Sequence, residues 1–107
     1  MPQTIKRPKI KITLTRRIGP VGCHRGHKPG DSWDFDTERG QLCPMVMHVA
    51  FPYIDILRYG GEIPGQPEGT AEFCCPDVET INVFKIERLG DLTESFTFVF
   101  LSSRILP

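Results

Sequence analysis

Three separate segments of this 107-residue chain each bring sulfur to a turn. Cys23 stands in the run Cys23-His24-Arg25-Gly26-His27, Cys43 directly precedes Pro44, and Cys74 and Cys75 are adjacent just before Pro76-Asp77. Thiolate with imidazole is the ligand set of a zinc or iron ion, and it is equally the working set of cysteine catalysis. No Cys-x-x-Cys pair occurs, so the chain lacks the zinc-ribbon and thioredoxin spacings. Paired acid/base carboxylates, a Gly-rich phosphate loop and a Gly-x-Ser-x-Gly elbow are also missing from the sequence.

Within that set, Cys43 carries the strongest local argument. Pro44 suits the first position of a helix, where its missing N–H costs nothing, and Cys43 then falls at the N-cap. The unsatisfied N–H groups there favour a thiolate. Cys75 shares a strand face with Phe73 and stands beside a turn, whereas Cys74 points to the opposite face and reads as a spectator. Cys23 and His27, four residues apart on a loop, can share one ion, and the loop is free enough for His24 to take the place of His27. His48 lies five residues after Cys43, about 140° around the helix, and reads as a surface or interface residue. Asp31 and Asp77 are turn formers first, and either could orient an imidazole from behind.

The elements that must position these groups follow from periodicity. Residues 9–15 alternate, with Ile10, Ile12 and Leu14 on one side, as a half-buried strand does. Gly19-Pro20 breaks it, and residues 21–30 form an irregular loop. Trp33 and Phe35 alternate through residues 32–36 as a second short strand. From Pro44, Val46, Val49, Ala50, Tyr53 and Leu57 recur at helical spacing, with Met47, Phe51 and Ile54 beside them. Pro52 is expected to kink or split that helix after Phe51, and Gly60-Gly61 ends it. Residues 70–75 and 80–89 read as strands, the second with a phase shift between Val83 and Phe84 that predicts a bulge or burial on both faces. Residues 95–101 form a last strand with Phe96, Phe98 and Phe100 on one face. Something must cover that face, either the helix or a second copy of the chain, so a homo-oligomer is expected. The sum is an α+β domain over residues 1–107: a small, mostly antiparallel sheet packed on one main, Pro-kinked helix.

Composition bounds the partners. Hydrophobic residues make up 39% and charged residues 24% of the chain, ordinary for a folded domain, and Lys+Arg 13 balances Asp+Glu 13. A zero net charge argues against nucleic acid and anionic membrane. The start Met1-Pro2-Gln3-Thr4 leads into charge rather than an apolar leader, so a cytoplasmic location with reduced cysteines is expected and a disulfide framework is not.

The residues also resemble a family of small uncharacterised prokaryotic proteins of about this length. The likeness runs through Cys23…Gly26-His27-Lys28-Pro29-Gly30-Asp31, Leu42-Cys43-Pro44, Tyr59-Gly60-Gly61, Cys75-Pro76-Asp77 and Val83-Phe84-Lys85-Ile86-Glu87-Arg88. It covers residues 9–89, leaving 90–107 as an added strand. The resemblance implies that Cys23, His27, Gly30, Asp31, Cys43 and Cys75 matter, and it implies no activity.

Two readings of the site follow, and a third stands beside them. In the first, Cys23, His27, Cys43 and Cys75 hold one zinc or iron ion. In the second, no metal is needed: Cys43 is the nucleophile, His27 the base, and Asp31 or Asp77 the orienter, acting on a small-molecule ligand. The third is a non-catalytic assembly module with structural cysteines.

Overall fold

The structure is a computed structural model that describes residues 7–20 and 22–90. The expected Phe-rich strand at 95–101 lies outside the described residues. Four strands, β1 (Lys9–Ile18), β2 (Ser32–Asp34), β3 (Thr70–Cys74) and β4 (Ile81–Leu89), form one antiparallel sheet in the order β2-β1-β4-β3. Two helices accompany it: α1 (Phe35–Glu38), followed by a 3-10 turn at Arg39–Gln41, and α2 (Pro44–Arg58). This is the expected α+β arrangement of an antiparallel sheet against a proline-containing helix.

The alternation in β1 does what its period demands. Ile10, Ile12 and Leu14 are buried, and they pair across the sheet with Arg88, Ile86 and Phe84. Ala71 and Phe73 of β3 extend the same layer opposite Ile86 and Phe84. The other face is polar and its charges alternate: Lys11 stands opposite Glu87 and Asp34, and Lys85 opposite Glu72. Opposite charges directly across a ladder favour this register over a one-residue slip, which would bury them.

The phase shift in β4 stands opposite a bulge in β1. The register jumps from Leu14↔Phe84 to Arg16↔Val83, so Thr15 is the extra residue, and both Val83 and Phe84 are buried. The Thr15 hydroxyl donates to the Val83 carbonyl at 3.0 Å. A bulge increases local twist and re-aims the strand end, and here that end carries Arg17 and Asn82 toward the cysteine loops.

One expectation needs correction. The second strand stops at Asp34, and Phe35 begins a helical turn instead of continuing the alternation. Asp34 caps that turn, its carboxylate accepting from the Thr37 N–H at 2.9 Å and hydroxyl at 2.7 Å, while Glu38 accepts from the Asp34 N–H at 2.8 Å. Reciprocal capping satisfies donors that a strand edge would leave to water, and Phe35 is buried from the helical turn. Of the two outcomes expected at Pro52, the split does not occur: α2 is continuous over 15 residues. Pro52 lies on the exposed side, away from the buried stripe of Val46, Ala50, Ile54 and Leu57. Its lost hydrogen bond therefore falls where water can satisfy the free carbonyl.

Gly60-Gly61 closes α2 as a Schellman motif. Gly60 has φ 93°, its N–H reaches the Leu57 carbonyl at 3.2 Å, and the Gly61 N–H reaches the Ile56 carbonyl at 2.8 Å. A Cβ on Gly61 would come within 2.8 Å of the Ile56 side chain. Arg88 of β4 locks this end. Its guanidinium donates to the Leu57 and Gly61 carbonyls, each at 2.9 Å, and pairs with Glu62. Glu62 also accepts from the Gly69 N–H at 2.7 Å. These bonds, that from Gly69 first and then that from Arg88, hold the Glu62 carboxyl below its ordinary value of 4.5. A depressed carboxyl contributes stability that is complete above pH 4.5 and is lost as pH falls through the folded-state value. Glu62→Gln is therefore expected to flatten the acid limb of a stability–pH curve below pH 4.5. Urea melts of both proteins down the acid range check it, and identical slopes would refute the assignment.

Candidate functional site: a thiol-walled cavity at the N-terminus of helix α2

Cys23, Cys43 and Cys75 line one cavity of about 20 Å³, together with His24, Asp77 and an apolar wall that includes Met45, Val46 and Pro76. About 10–15 Å³ suffices for one water, and pockets for organic ligands run to hundreds of Å³. The space therefore suits a guest the size of an ion or a water.

Each thiol arrives by a different route. Cys43 is the N-cap of α2 with Pro44 following, as the sequence predicts, and it is 5% exposed. Its thiol makes no capping hydrogen bond to the helix, so the sulfur is not spent on satisfying the first turn. Cys75 follows β3 and is 8% exposed, whereas Cys74 is exposed on the other side. The Cys75 backbone N–H donates to the Asn82 carbonyl at 2.9 Å. Its thiol donates to the Thr80 carbonyl at 3.4 Å and accepts from the Asn82 N–H at 3.3 Å. Cys23 is half-buried on the 22–31 loop, where its sulfur accepts from the Arg25 N–H at 3.4 Å.

The expected division between the adjacent cysteines follows from these positions. Cys74→Ala is expected to change stability by less than about 0.5 kcal/mol, as exposed substitutions do. Cys75→Ala empties a buried site and strips a partner from the Asn82 N–H, at a cost of about 1–3 kcal/mol. Chemical denaturation of the two variants decides it, and equal losses would contradict the geometry.

The two histidines of the first loop go separate ways. The Nε2 of His27 accepts from the backbone N–H of Cys43 at 3.2 Å, and its ring sits edge-on to Trp33 at 4.8 Å. Burial lowers its pKa below 6.5, outweighing the nearby Asp31 carboxylate, which raises it. His27 is thus held as a neutral acceptor behind Cys43. His24 instead joins the cavity wall, with Nδ1 3.9 Å from Asp77 Oδ2.

Asp31 serves the loop. Its carboxylate accepts from the Lys28 N–H at 2.9 Å, and Gly30, at φ 99°, returns the chain to β1 through its N–H to the Leu14 carbonyl at 2.8 Å. Asp77 forms the turn expected of it, accepting from the Glu79 N–H at 2.9 Å, and its other carboxylate oxygen lies 3.9 Å from His24 Nδ1. His48 is exposed, as expected. Arg17 is the residue that the alternation of β1 gave no reason to single out. It donates to the His27 carbonyl at 2.8 Å and to the Asn82 side chain at 3.3 Å, tying the two cysteine loops together.

Of the expected ligand set, then, Cys23, Cys43 and Cys75 line the cavity and His27 does not. Among the described residues no three His, Cys, Asp or Glu side chains are already grouped closely enough to hold a metal ion. Among the described residues no helix is long and apolar enough to cross a membrane. No protein-family model matches the chain, and neither a curated protein nor a solved structure shows a significant match.

Proposed function

We propose that this protein binds one zinc or iron ion, with Cys23, Cys43 and Cys75 as thiolate ligands. The observation that supports this reading is that three cysteines, from three segments, line one small cavity. A water in such a cavity wants two to four polar partners, whereas a soft cation is served by the sulfurs themselves. Ligand thiols must lose their protons, so binding releases protons and weakens as pH falls. It also requires reduced cysteines, the condition of the cytosol.

A second reading has its own support. His24 and Asp77 stand on the same wall as Cys43, an imidazole with an orienting carboxylate beside a thiol at a helix N-terminus. Cys43 would then attack a small electrophile without a metal.

Metal analysis of protein purified under reducing conditions without a histidine tag separates the two. The first reading expects close to one equivalent of metal, and Cys43 protected from alkylation until a chelator is added. Protein that stays metal-free after incubation with zinc or iron would refute it. Alkylation of Cys43 with an ordinary thiol pH profile would then count against the nucleophile as well.

A further inference from the structure

We propose that the solvent-facing stripe of α2 is the docking surface for a second copy of this chain, with the two helices packed antiparallel about a two-fold axis at Pro52. This goes beyond the thiol cavity and does not depend on a metal.

A helix on the surface of a domain turns charged residues to water. The outer side of α2 does not. Its inner side carries the buried residues Val46, Ala50, Ile54 and Leu57. Opposite them, Met45, His48, Pro52, Ile56 and Tyr59 follow one another at steps of three or four residues, with Phe51 at the edge, and all six are exposed. Met45 is 53%, Phe51 46%, Ile56 42% and Tyr59 53% exposed. The only charged residues of the helix, Asp55 and Arg58, pair with each other at 3.4 Å. Arg7 and Arg58 stack on the Tyr59 ring at 4.9 and 5.4 Å, which holds it in place and leaves it in contact with solvent. A pre-positioned aromatic of this kind is a typical anchor of an interface.

Area and charge both point to a second copy as the occupant. Four large side chains about half exposed present on the order of 400 Å² of apolar surface, the size at which a patch on a monomer is often an interaction site. Two such patches in contact remove about 800 Å² from water, and His48, Pro52 and the helix flanks add to this, toward the 1,200 Å² or so at which specific interfaces begin. A neutral stripe can meet itself with no like charges opposed, and a two-fold axis makes one patch serve both sides. Parallel packing in register would set Asp55 against Asp55 and bring the two Arg7 side chains together. Antiparallel packing about Pro52 separates them and sets Met45 of each copy against Tyr59 of the other. Met45 also lines the thiol cavity, so the second copy would place Tyr59 beside that wall.

Sedimentation velocity of the full chain over a concentration series tests this, with reductant present because Cys74 is exposed. The wild-type chain is expected to dimerise with a dissociation constant on the order of 10 μM, as suits an interface at the small end of the range. Ile56→Lys is expected to weaken the dimer by about 30-fold or more, the scale of a central interface residue, with an unchanged circular dichroism spectrum. Leu89→Lys, at an equally exposed apolar residue on the sheet, should dimerise like the wild type. Met45→Glu and Tyr59→Lys should each be monomeric alone and should form a heterodimer when mixed, since the antiparallel pair sets the new carboxylate against the new ammonium. A wild-type chain that stays monomeric throughout would overturn the proposal, leaving the stripe to be covered by residues 91–107 of the same chain or by a different partner. A dimer that survives Ile56→Lys would place the interface elsewhere and overturn it too. Failure of the mixed pair to associate would overturn the antiparallel arrangement.

Discussion

Phe84→Ala is expected to destabilise the fold by about 3–5 kcal/mol, the range for truncating a buried phenylalanine. Phe84 has no exposed surface, stacks on Phe73 at 5.4 Å and lies 6.2 Å from Trp33. It also stands at the register shift, opposite Leu14. Removing the ring leaves a cavity between the sheet and α2 that backbone on both sides prevents from collapsing. Trp33 supports the ring of His27, so the loss reaches the loop behind Cys43. Urea unfolding followed by tryptophan fluorescence measures it, since Trp33 is the only tryptophan. A loss below about 1.5 kcal/mol, the size of a tolerated volume-conserving swap, would mean that the ring is not packed as described.

Arg88→Met is expected to cost about 3 kcal/mol, and Arg88→Lys nearly as much. The guanidinium side chain is 5% exposed and serves three acceptors: the Leu57 and Gly61 carbonyls and the Glu62 carboxylate. Methionine keeps most of the volume but orphans two carbonyls at a helix end, each costing about 1–3 kcal/mol when buried. Lysine keeps the charge but cannot fork to three acceptors in fixed directions. Glu62 is exposed enough for water to take over its share, which limits the total. A domain of this size loses about 4–8 °C of melting temperature per kcal/mol, so calorimetry should show a drop of more than about 10 °C. A lysine variant as stable as the wild type would show that charge alone matters there.

Much of the framework was legible because period and punctuation agreed. The alternation of Ile10, Ile12 and Leu14, the Pro44 start of α2 and its Gly60-Gly61 stop each rest on local rules, and each appears in the structure. The turn at Asp34 was not legible. Trp33 and Phe35 are both buried, and burial two residues apart looks like a strand whether the chain extends or coils. Only Asp34 and Glu38, read together as caps, carried the other signal. In the site, the spacing that groups cysteines also grouped His27 with them. Sequence distance could not register that Gly26 turns the chain between the two histidines, or that a backbone N–H had already claimed one of them. The bonds of Arg17 and Arg88 were not legible, because their partners lie far along the chain and no local pattern announces them.

The pairing of β1 with β4 joins Lys9 to Leu89 and Ile18 to Ile81, so the first described strand finds its main partner in the last. Closing so long a loop precedes any return from the contacts it brings together, and topologies of this kind fold slowly. During synthesis the emerging chain carries Cys23 and Cys43 long before Asn82 exists to hold Cys75 or to meet Arg17. The thiols therefore pass through an interval in which no cavity protects them.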